Sequence, residues 1–234
     1  MRTSTAVATC SRPQAGRRRQ LQRLAGLPLL ALLPAAAMAD AYVDYFRAIR
    51  IDDGPAVKKL LQRGFDPNTI EESRGDTGMI MALREEAMDV FRVLLAAPGT
   101  DLEAKAFNGD TALMIACFKG NLPAVQALLE KGAEVNRPGW TPLHYAAYSG
   151  NNDIVRLLLD KSAYIDAESP NKTTPMMMAA MAGKIYTVKL LLDEGADATL
   201  RNALGMNAID FAVKHDHPDI AEGLTHRLRK AGKL

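Results

Sequence analysis

The side chains that most often carry out chemistry in proteins are scarce in this sequence and are not clustered. Its two cysteines are too few for a disulfide framework or a multi-cysteine zinc site. His215 and His217 form a His-x-His pair that could supply two metal ligands, but a closed zinc site needs four, so we interpret both as surface residues. Cys117 follows Ala116 in a stretch of small residues, which indicates a buried and unreactive thiol.

Catalytic motifs are missing from the sequence. It contains no Gly-x-Ser-x-Gly, no His-Glu-x-x-His and no phosphate-binding loop. Acidic pairs such as Glu85 and Glu86 fall at predicted helix ends, where carboxylates act as solvated or capping charges. We therefore expect no catalytic residue, no cofactor and no metal, and a chain that is not an enzyme.

The first 39 residues form a segment of distinct composition. They contain six arginines and no acidic residue, and an apolar run from Leu24 ends in Ala37-Met38-Ala39. That run is shorter than the roughly 20 residues of a membrane span, and its end is typical of a signal-peptidase site. We predict a signal peptide over 1–39, cleaved after Ala39, which exports 40–234 to the periplasm of a bacterium or secretes it. The sequence Arg17-Arg18-Arg19-Gln20-Leu21 fits a twin-arginine signal and an ordinary Sec signal alike, so the export route stays open.

Cleavage of the predicted signal peptide would remove six arginines and change the sign of the net charge. The whole chain has 29 basic and 27 acidic side chains, a net charge of +2. Without the six arginines of the signal, 23 basic and 27 acidic groups remain, a net charge of −4. The mild basicity therefore belongs to the export signal, and a nucleic acid partner is not expected.

The remaining residues repeat one pattern, and this pattern defines the elements that must position any functional side chain. A Val/Phe-x-x-Leu-Leu signature recurs at intervals of 34, 34, 30 and 33 residues, starting at Val57, Phe91, Val125, Val155 and Val188. A Thr-led signature precedes it, at Thr77, Thr111, Thr141 and Thr174. Each unit therefore reads as a Thr N-cap, a short helix, a break and a second amphipathic helix. Neither helix can bury its apolar face alone, so stacking of the units must create the core.

These motifs, such as Thr141-Pro-Leu-His144 and Gly132-Ala-Glu-Val-Asn136, resemble those of the ankyrin repeat family. The resemblance implies an all-α ankyrin-repeat solenoid of about six helix-turn-helix units with short β-turn fingers. The units fall at about 42–70, 71–105, 106–137, 138–168, 169–200 and 201–230, and the first and last act as caps. The resemblance also implies that His144 forms hydrogen bonds within its own repeat. The 30-residue step predicts a stunted finger at Arg137-Pro138-Gly139-Trp140, and Ser162 replaces the glycine that ends sibling helices.

By the same resemblance, the residues near the end of each first helix face a concave groove. The groove and finger residues expected to bind a partner are Met81, Arg84, Ile115, Phe118, Lys119, Trp140, Tyr145, Tyr148, Met178, Met181, Phe211 and Lys214. Aromatic, Met and Arg side chains of this kind enrich protein interfaces. Trp140 has two open interpretations, as a binding anchor or as a seal of the shortened turn against Tyr164 or Phe107. Because the core is predicted to consist of Leu, Val, Ala and Met, we expect most aromatics to be available to the groove and fingers.

The sequence therefore predicts a periplasmic scaffold, a monomer, that binds a protein partner and does not insert stably into the membrane after cleavage. The 11 methionines leave open an alternative, an accessory factor or chaperone for a periplasmic redox enzyme or metalloenzyme, with exposed Met as an oxidant buffer. A copper(I) site is not expected, because Met176, Met177 and Met178 are consecutive on a helix and point in different directions.

Overall fold

The structure is a computed structural model that describes residues 35–233, and it is built there from six consecutive pairs of helices. The helices are α1 Ala35–Arg50, α2 Gly54–Gln62, α3 Gly78–Arg84, α4 Met88–Ala96, α5 Ala112–Phe118, α6 Leu122–Glu130, α7 Pro142–Ser149, α8 Asn152–Asp160, α9 Pro175–Met181, α10 Ile185–Asp193, α11 Ala208–Lys214 and α12 Pro218–Lys230. Over this range the single β pairing is a bridge between Ile70 and Thr77. The expected all-α solenoid is confirmed. The predicted signal peptide, with its arginines and Cys10, lies outside the described residues except for 35–39.

The first helix of a typical unit begins at the predicted Thr cap. Thr77 Oγ1 accepts a hydrogen bond from the backbone N–H of Ile80 at 3.3 Å, and Thr174 Oγ1 accepts one from Met177 at 3.4 Å. In the last unit Asn207 replaces Thr and its Oδ1 accepts from Asp210 N–H at 3.0 Å. Such caps satisfy a backbone donor that has no partner within the helix.

The second helices are capped less uniformly. Asp53, Asn121 and Asn151 each accept a hydrogen bond from the backbone N–H three residues later, at 2.9, 3.1 and 3.1 Å. Ala87, Lys184 and His217 occupy the same position before α4, α10 and α12 and form no side-chain cap. Three of the six second helices therefore begin without an interaction that the other three have.

The core forms where the first helices of successive units pack side by side, from α3 through α5, α7 and α9 to α11. Small side chains at this contact, such as Ala116, Ala146 and Ala147, are fully buried and allow the helices to approach closely. Cys117 is also fully buried, as predicted, and this burial raises the pKa of its thiol.

The first unit uses aromatic side chains as its core, contrary to the expectation that most aromatics remain available. Tyr45 and Phe46 are buried, and the Tyr45 ring packs against Phe46 at 5.1 Å and Phe65 at 4.7 Å. A Cβ atom at Gly78 would lie 2.0 Å from the Tyr45 oxygen, so the start of α3 is in direct contact with this ring. Large rings thus supply much of the apolar contact area of this unit.

Four of the fingers are short loops whose two ends are joined by a backbone hydrogen bond. These bonds join Glu71 to Asp76, Ala106 to Asp110, Ser169 to Thr173 and Asn202 to Met206, at 2.9 to 3.1 Å. Two bonds also link neighbouring fingers, from Phe107 N–H to Arg74 O and from Ala203 N–H to Asn171 O. Within the described chain, the segment 137–140 takes part in neither kind of bond, so the predicted stunted finger divides the row of fingers into two pairs.

Side chains at the ends of the units bind the backbone of the next unit. Asn136 donates from Nδ2 to Ser162 O at 2.7 Å and accepts from Tyr164 N–H at 2.9 Å. Asn68 makes the equivalent pair of bonds two junctions earlier, to Gly99 O and from Asp101 N–H, both at 2.8 Å. These bonds fix the spacing between units at the ends of the second helices.

Ser162 ends α8 in a conformation that suits glycine. Its φ is +63°, and the siblings Gly64, Gly132 and Gly195 have φ values of +91°, +91° and +100°. A left-handed conformation is unfavourable for a residue with a Cβ atom. The sequence interpretation of an uncomfortable helix end at Ser162 is confirmed.

Candidate functional site

The surface formed by the first helices and the fingers, called here the groove face, exposes two large aromatic rings. Phe118 at the end of α5 is 46% exposed, and Tyr148 near the end of α7 is 37% exposed. The two rings stack with centroids 6.0 Å apart and planes at 17°. Lys119 follows Phe118 directly and is also exposed, as is Lys214 in the last unit. These four predicted residues are accessible to a partner.

Three other predicted groove residues are buried, which corrects the expectation that they line an accessible surface. Met81 and Ile115 belong to the hydrophobic core between adjacent first helices. Phe211 is also buried and its ring stacks on that of His215, with centroids 6.4 Å apart. These three side chains belong to the buried core, so they contribute packing and not an accessible surface.

Arg84, predicted as a groove cation, is engaged by two buried carboxylates. Its Nη2 donates to Asp110 Oδ2 at 2.9 Å. Its Nε lies 3.0 Å from Asp76 Oδ2, a charge contact without good hydrogen-bond geometry. Both aspartates lie at the base of a finger, immediately before a capping Thr. Arg84 therefore ties two fingers to the helix layer and is not a free positive charge.

Tyr145 joins the same cluster from the next unit. Its hydroxyl donates a hydrogen bond to Asp110 Oδ1, and Asp110 Oδ2 also accepts from Asn108 Nδ2 at 2.8 Å. Burial, together with this carboxylate, raises the pKa of the Tyr145 phenol. The Tyr145 ring meets Phe118 edge to face, at 6.4 Å. Half-buried Tyr145 thus supports the exposed aromatic pair from below.

The methionines are less accessible than the sequence suggested. Met176 and Met177 are buried, and the two predicted groove residues Met178 and Met181 are half-buried. Met181 packs against the core. Among residues 40–233, none of the methionines falls in the exposed class. The alternative function as an oxidant buffer requires exposed methionines, and residues 40–233 provide none.

Trp140 is half-buried and has a partner that the sequence interpretation did not name. Its ring meets that of His144 edge to face, with centroids 5.2 Å apart. The two residues proposed as its partners, Tyr164 and Phe107, are both exposed. The shortened turn is therefore covered by a contact within its own unit.

His144 is a structural residue that links two units. Its Nδ1 accepts from the backbone N–H of Thr141 at 3.1 Å, as the family resemblance implied, and its Nε2 lies 2.9 Å from Thr173 O. This arrangement assigns the proton to Nε2, which donates to the carbonyl of Thr173 in the next unit. Burial lowers the pKa of His144 to about 4, so the imidazole is neutral at ordinary pH.

The His215 and His217 rings have separate packing partners. His215 stacks on Phe211, and the ring of His217 covers Gly183, where a Cβ atom would lie 2.6 Å from His217 Cε1. In the portion of the chain that the structure describes, no group of three or more His, Cys, Asp or Glu side chains could hold a metal ion. None of the described helices is long and apolar enough to cross a membrane.

A pocket beside the aromatic pair contains a residue that the sequence reasoning missed. It has a volume of about 600 Å³ and is lined by Phe118, Lys119, Gly120, Tyr148, Ser149, Gly150, Asn151, Ala182 and Lys184. Lys184 precedes α10 and is absent from the predicted groove set. The one available signal was its replacement of the Asn that caps the equivalent helices.

Comparison with known proteins supports the assignment of the fold. The family described as "Ankyrin repeats (3 copies)" matches residues 46–138, 89–169 and 164–231. The chain is 33% identical over 178 residues to human B-cell lymphoma 3 protein, covering 73% of this chain and 39% of that protein. It is 30% identical over 176 residues to human SH3 and multiple ankyrin repeat domains protein 2, covering 73% of this chain and 10% of that protein.

A third relative is human transient receptor potential cation channel subfamily A member 1, 30% identical over 152 residues, which are 60% of this chain and 14% of that protein. This chain thus spans less than half the length of these curated relatives. The family match extends over most of the sequence and coincides with the helix pairs described above. The chain belongs to the ankyrin repeat family.

Proposed function

We propose that this chain is a non-enzymatic scaffold that acts in the bacterial periplasm and binds a protein partner through its groove face and finger tips. Ankyrin repeats are protein–protein interaction modules, which supports a protein as the partner class. The observation that carries the proposal is the exposed stack of Phe118 and Tyr148. Large aromatic rings are enriched at the centres of interfaces, and here two of them stack side by side on one face of the repeats.

The surrounding structure makes this surface rigid before binding. Tyr145 contacts Phe118 from below and is held by Asp110, which also binds Arg84. A prearranged surface loses little conformational entropy when a partner docks, so more of the contact energy contributes to affinity.

Affinity purification from a periplasmic extract tests the binding site. We expect Tyr148→Ala to weaken capture of the partner about tenfold or more, since ring truncation at an interface commonly costs over about 1 kcal/mol. The matched control is Tyr186→Ala on α10, which removes an equally large ring that is 76% exposed but lies on a second helix. Thermal unfolding of both variants should stay close to that of the unaltered protein. Equal capture by the two variants would refute a groove site.

Met181→Ala serves as a positive control for core damage. Because Met181 packs against the core, we expect this change to lower the unfolding temperature as well as capture. The comparison separates loss of a contact residue from loss of structure.

The export part of the proposal rests on the sequence of residues 1–39. Release of the protein by osmotic shock, with a mature N-terminus at Asp40, would support it, and a product that keeps residues 1–39 in the cytoplasm would refute it.

Replacing Arg18 and Arg19 by Lys distinguishes the twin-arginine route from the ordinary Sec route. Unchanged export excludes the twin-arginine route, whereas lost export excludes the ordinary Sec route. Sedimentation of the purified protein tests the proposed monomer.

A further inference from the structure

The pocket beside Phe118 and Tyr148 is positively charged, although residues 40–234 are acidic overall. Residues 40–234 have 23 basic and 27 acidic side chains. Lys119 and Lys184 both line the pocket, and no carboxylate does so. The walls therefore combine an apolar aromatic stack with two ammonium groups.

The two lysines differ in how far their charge is compensated. Lys119 Nζ lies 3.1 Å from Glu86 Oε1 of the preceding unit, an exposed ion pair that solvent screens. Lys184 forms no ion pair with any residue in the described part of the chain. Its charge is available to a ligand.

Lys184 is held beside the pocket by its own packing. A Cβ atom at Gly150 would lie 2.6 Å from Lys184 Cδ and 3.1 Å from Cε, so the lysine stem runs directly over this glycine. Gly150 is also the left-handed residue that ends α7, with φ of +81°. A stem fixed against the backbone keeps the ammonium near the aromatic pair.

Lys184 also occupies a position where a different residue would serve folding better. The side chains of Asn121 and Asn151 accept the cap hydrogen bond of α6 and α8, whereas in α10 the equivalent N–H, that of Thr187, donates to the backbone oxygen of Lys184 at 2.9 Å and no side chain caps the helix. A lysine has no acceptor atom and cannot cap a helix N-terminus. Ala87 and His217 also leave their helices without a side-chain cap, but Lys184 is the one of these three residues that lines the pocket, and this position makes it a candidate functional residue.

We propose that this pocket binds an acidic segment of the partner protein, in which an Asp or Glu side chain lies next to an apolar one. The carboxylate pairs with Lys184 and Lys119, and the apolar side chain covers the rings of Phe118 and Tyr148. The acidic side chain is favoured over a free phosphate because the exposed rings require an apolar group in the same ligand. This inference rests on the proposed function and specifies the partner chemistry of the same face.

A random peptide library, selected on the immobilised full-length protein, tests this inference. Parallel selections use Lys184→Glu and the matched control Lys189→Glu, which reverses an exposed charge on the same helix. We expect enriched peptides to contain an acidic residue beside an apolar one. Their affinity should fall about tenfold on Lys184→Glu and change less than about twofold on Lys189→Glu, and higher ionic strength should weaken it.

A second variant excludes misfolding as the cause. Lys184→Asn restores the cap residue of sibling helices, so we expect a higher unfolding temperature together with weaker peptide binding. Misfolding cannot produce both changes at once. Binding that is unchanged in Lys184→Asn and Lys184→Glu overturns the inference.

The remaining outcomes are also decisive. Peptides that need Tyr148 but carry no acidic residue overturn the inference and leave the groove function intact. A library that yields no peptide also overturns it, while the proposed function is judged separately by capture of whole proteins from extract. Lys184-dependent binding of a single-stranded oligonucleotide, without acidic peptides, would assign the pocket to nucleic acid instead.

Discussion

Protonation of His144 should make the stability of this protein fall in mild acid. The neutral imidazole bridges Thr141 and Thr173, and burial lowers its pKa to about 4 in the folded chain. In the unfolded chain the ordinary value is about 6.5. The unfolded state therefore binds the proton first, so the contribution of His144 is complete above pH about 6.5 and declines as the pH falls toward about 4.

The size of the effect follows from the two pKa values. The full difference corresponds to about 3 kcal/mol, and about 2 kcal/mol of it is lost between about pH 7 and pH 5. Urea unfolding of the full-length protein at the two pH values measures this loss directly. Loss of this size is a large fraction of the stability of a typical domain.

Variants identify His144 as the source. His144→Gln keeps an acceptor for the Thr141 N–H but removes the titrating ring, so the loss of stability between the two pH values should shrink. His226→Gln, at an exposed position, should leave it unchanged. Burial raises the pKa of Asp166, which acts in the opposite direction, so both variants are also compared in an Asp166→Asn background.

A direct titration keeps the test valid if His144→Gln is too unstable to study. The imidazole protons of His144 are followed by NMR in the intact protein, and the expected midpoint is near pH 4. A midpoint near the ordinary value, or unfolding free energies that are equal at the two pH values, would refute the reasoning.

Three further predictions concern the repeat junctions. Ser162→Gly should stabilise the protein by roughly 0.5 kcal/mol in urea unfolding, because relief of the left-handed strain exceeds the entropy cost of glycine. Gly132→Ala should destabilise the protein by about 1 kcal/mol, because alanine is strained at a positive φ even though no atom lies within 4 Å of the added methyl group. Asn136→Ala should cost about 1–2 kcal/mol, since it removes two bonds to the next unit; an unchanged urea midpoint would contradict this. In a Cys10→Ser background, Cys117 should react with a thiol reagent only after unfolding, and rapid labelling of the folded protein would show that it is exposed.

The fold could be predicted from the sequence because the residues that determine the structure of each repeat lie close together in the chain. A Thr cap, a pair of small residues and a helix-ending residue lie within a few positions of one another and recur in register. The exception at Ser162 could be predicted for the same reason, since the glycines at the equivalent positions of other repeats show that a left-handed conformation is required there. The repeat requires a left-handed residue at this position, so Ser162 adopts a positive φ as the equivalent glycines do.

The groove was predicted only in part because exposure depends on the neighbouring unit. Phe118 and Tyr148 are exposed as the family pattern implied, but Ile115, which lies one turn before Phe118 on α5 and was also mapped to the groove, belongs to the buried core. The sequence also could not show that Arg84 is bound by Asp110, because the pair is separated by 26 residues and forms only when two units stack. Contacts between units, not motifs within them, decide which side chains remain free.

The same principle explains why Lys184 was missed and why it is informative. Motif reasoning looks for residues that match the repeat, and Lys184 is a residue that departs from it. Replacing an Asn cap by a residue without a side-chain acceptor costs about 1 kcal/mol of helix stability. In α10 part of this cost is offset, because the N–H of Thr187 donates to the backbone oxygen of Lys184 at 2.9 Å and the lysine stem covers Gly150. In a protein assembled from near-identical units, the positions on which the units agree serve stability. Partner specificity must then come from positions on which the units differ, and Lys184 is the one of the three uncapped second-helix starts that lines the pocket beside the aromatic pair.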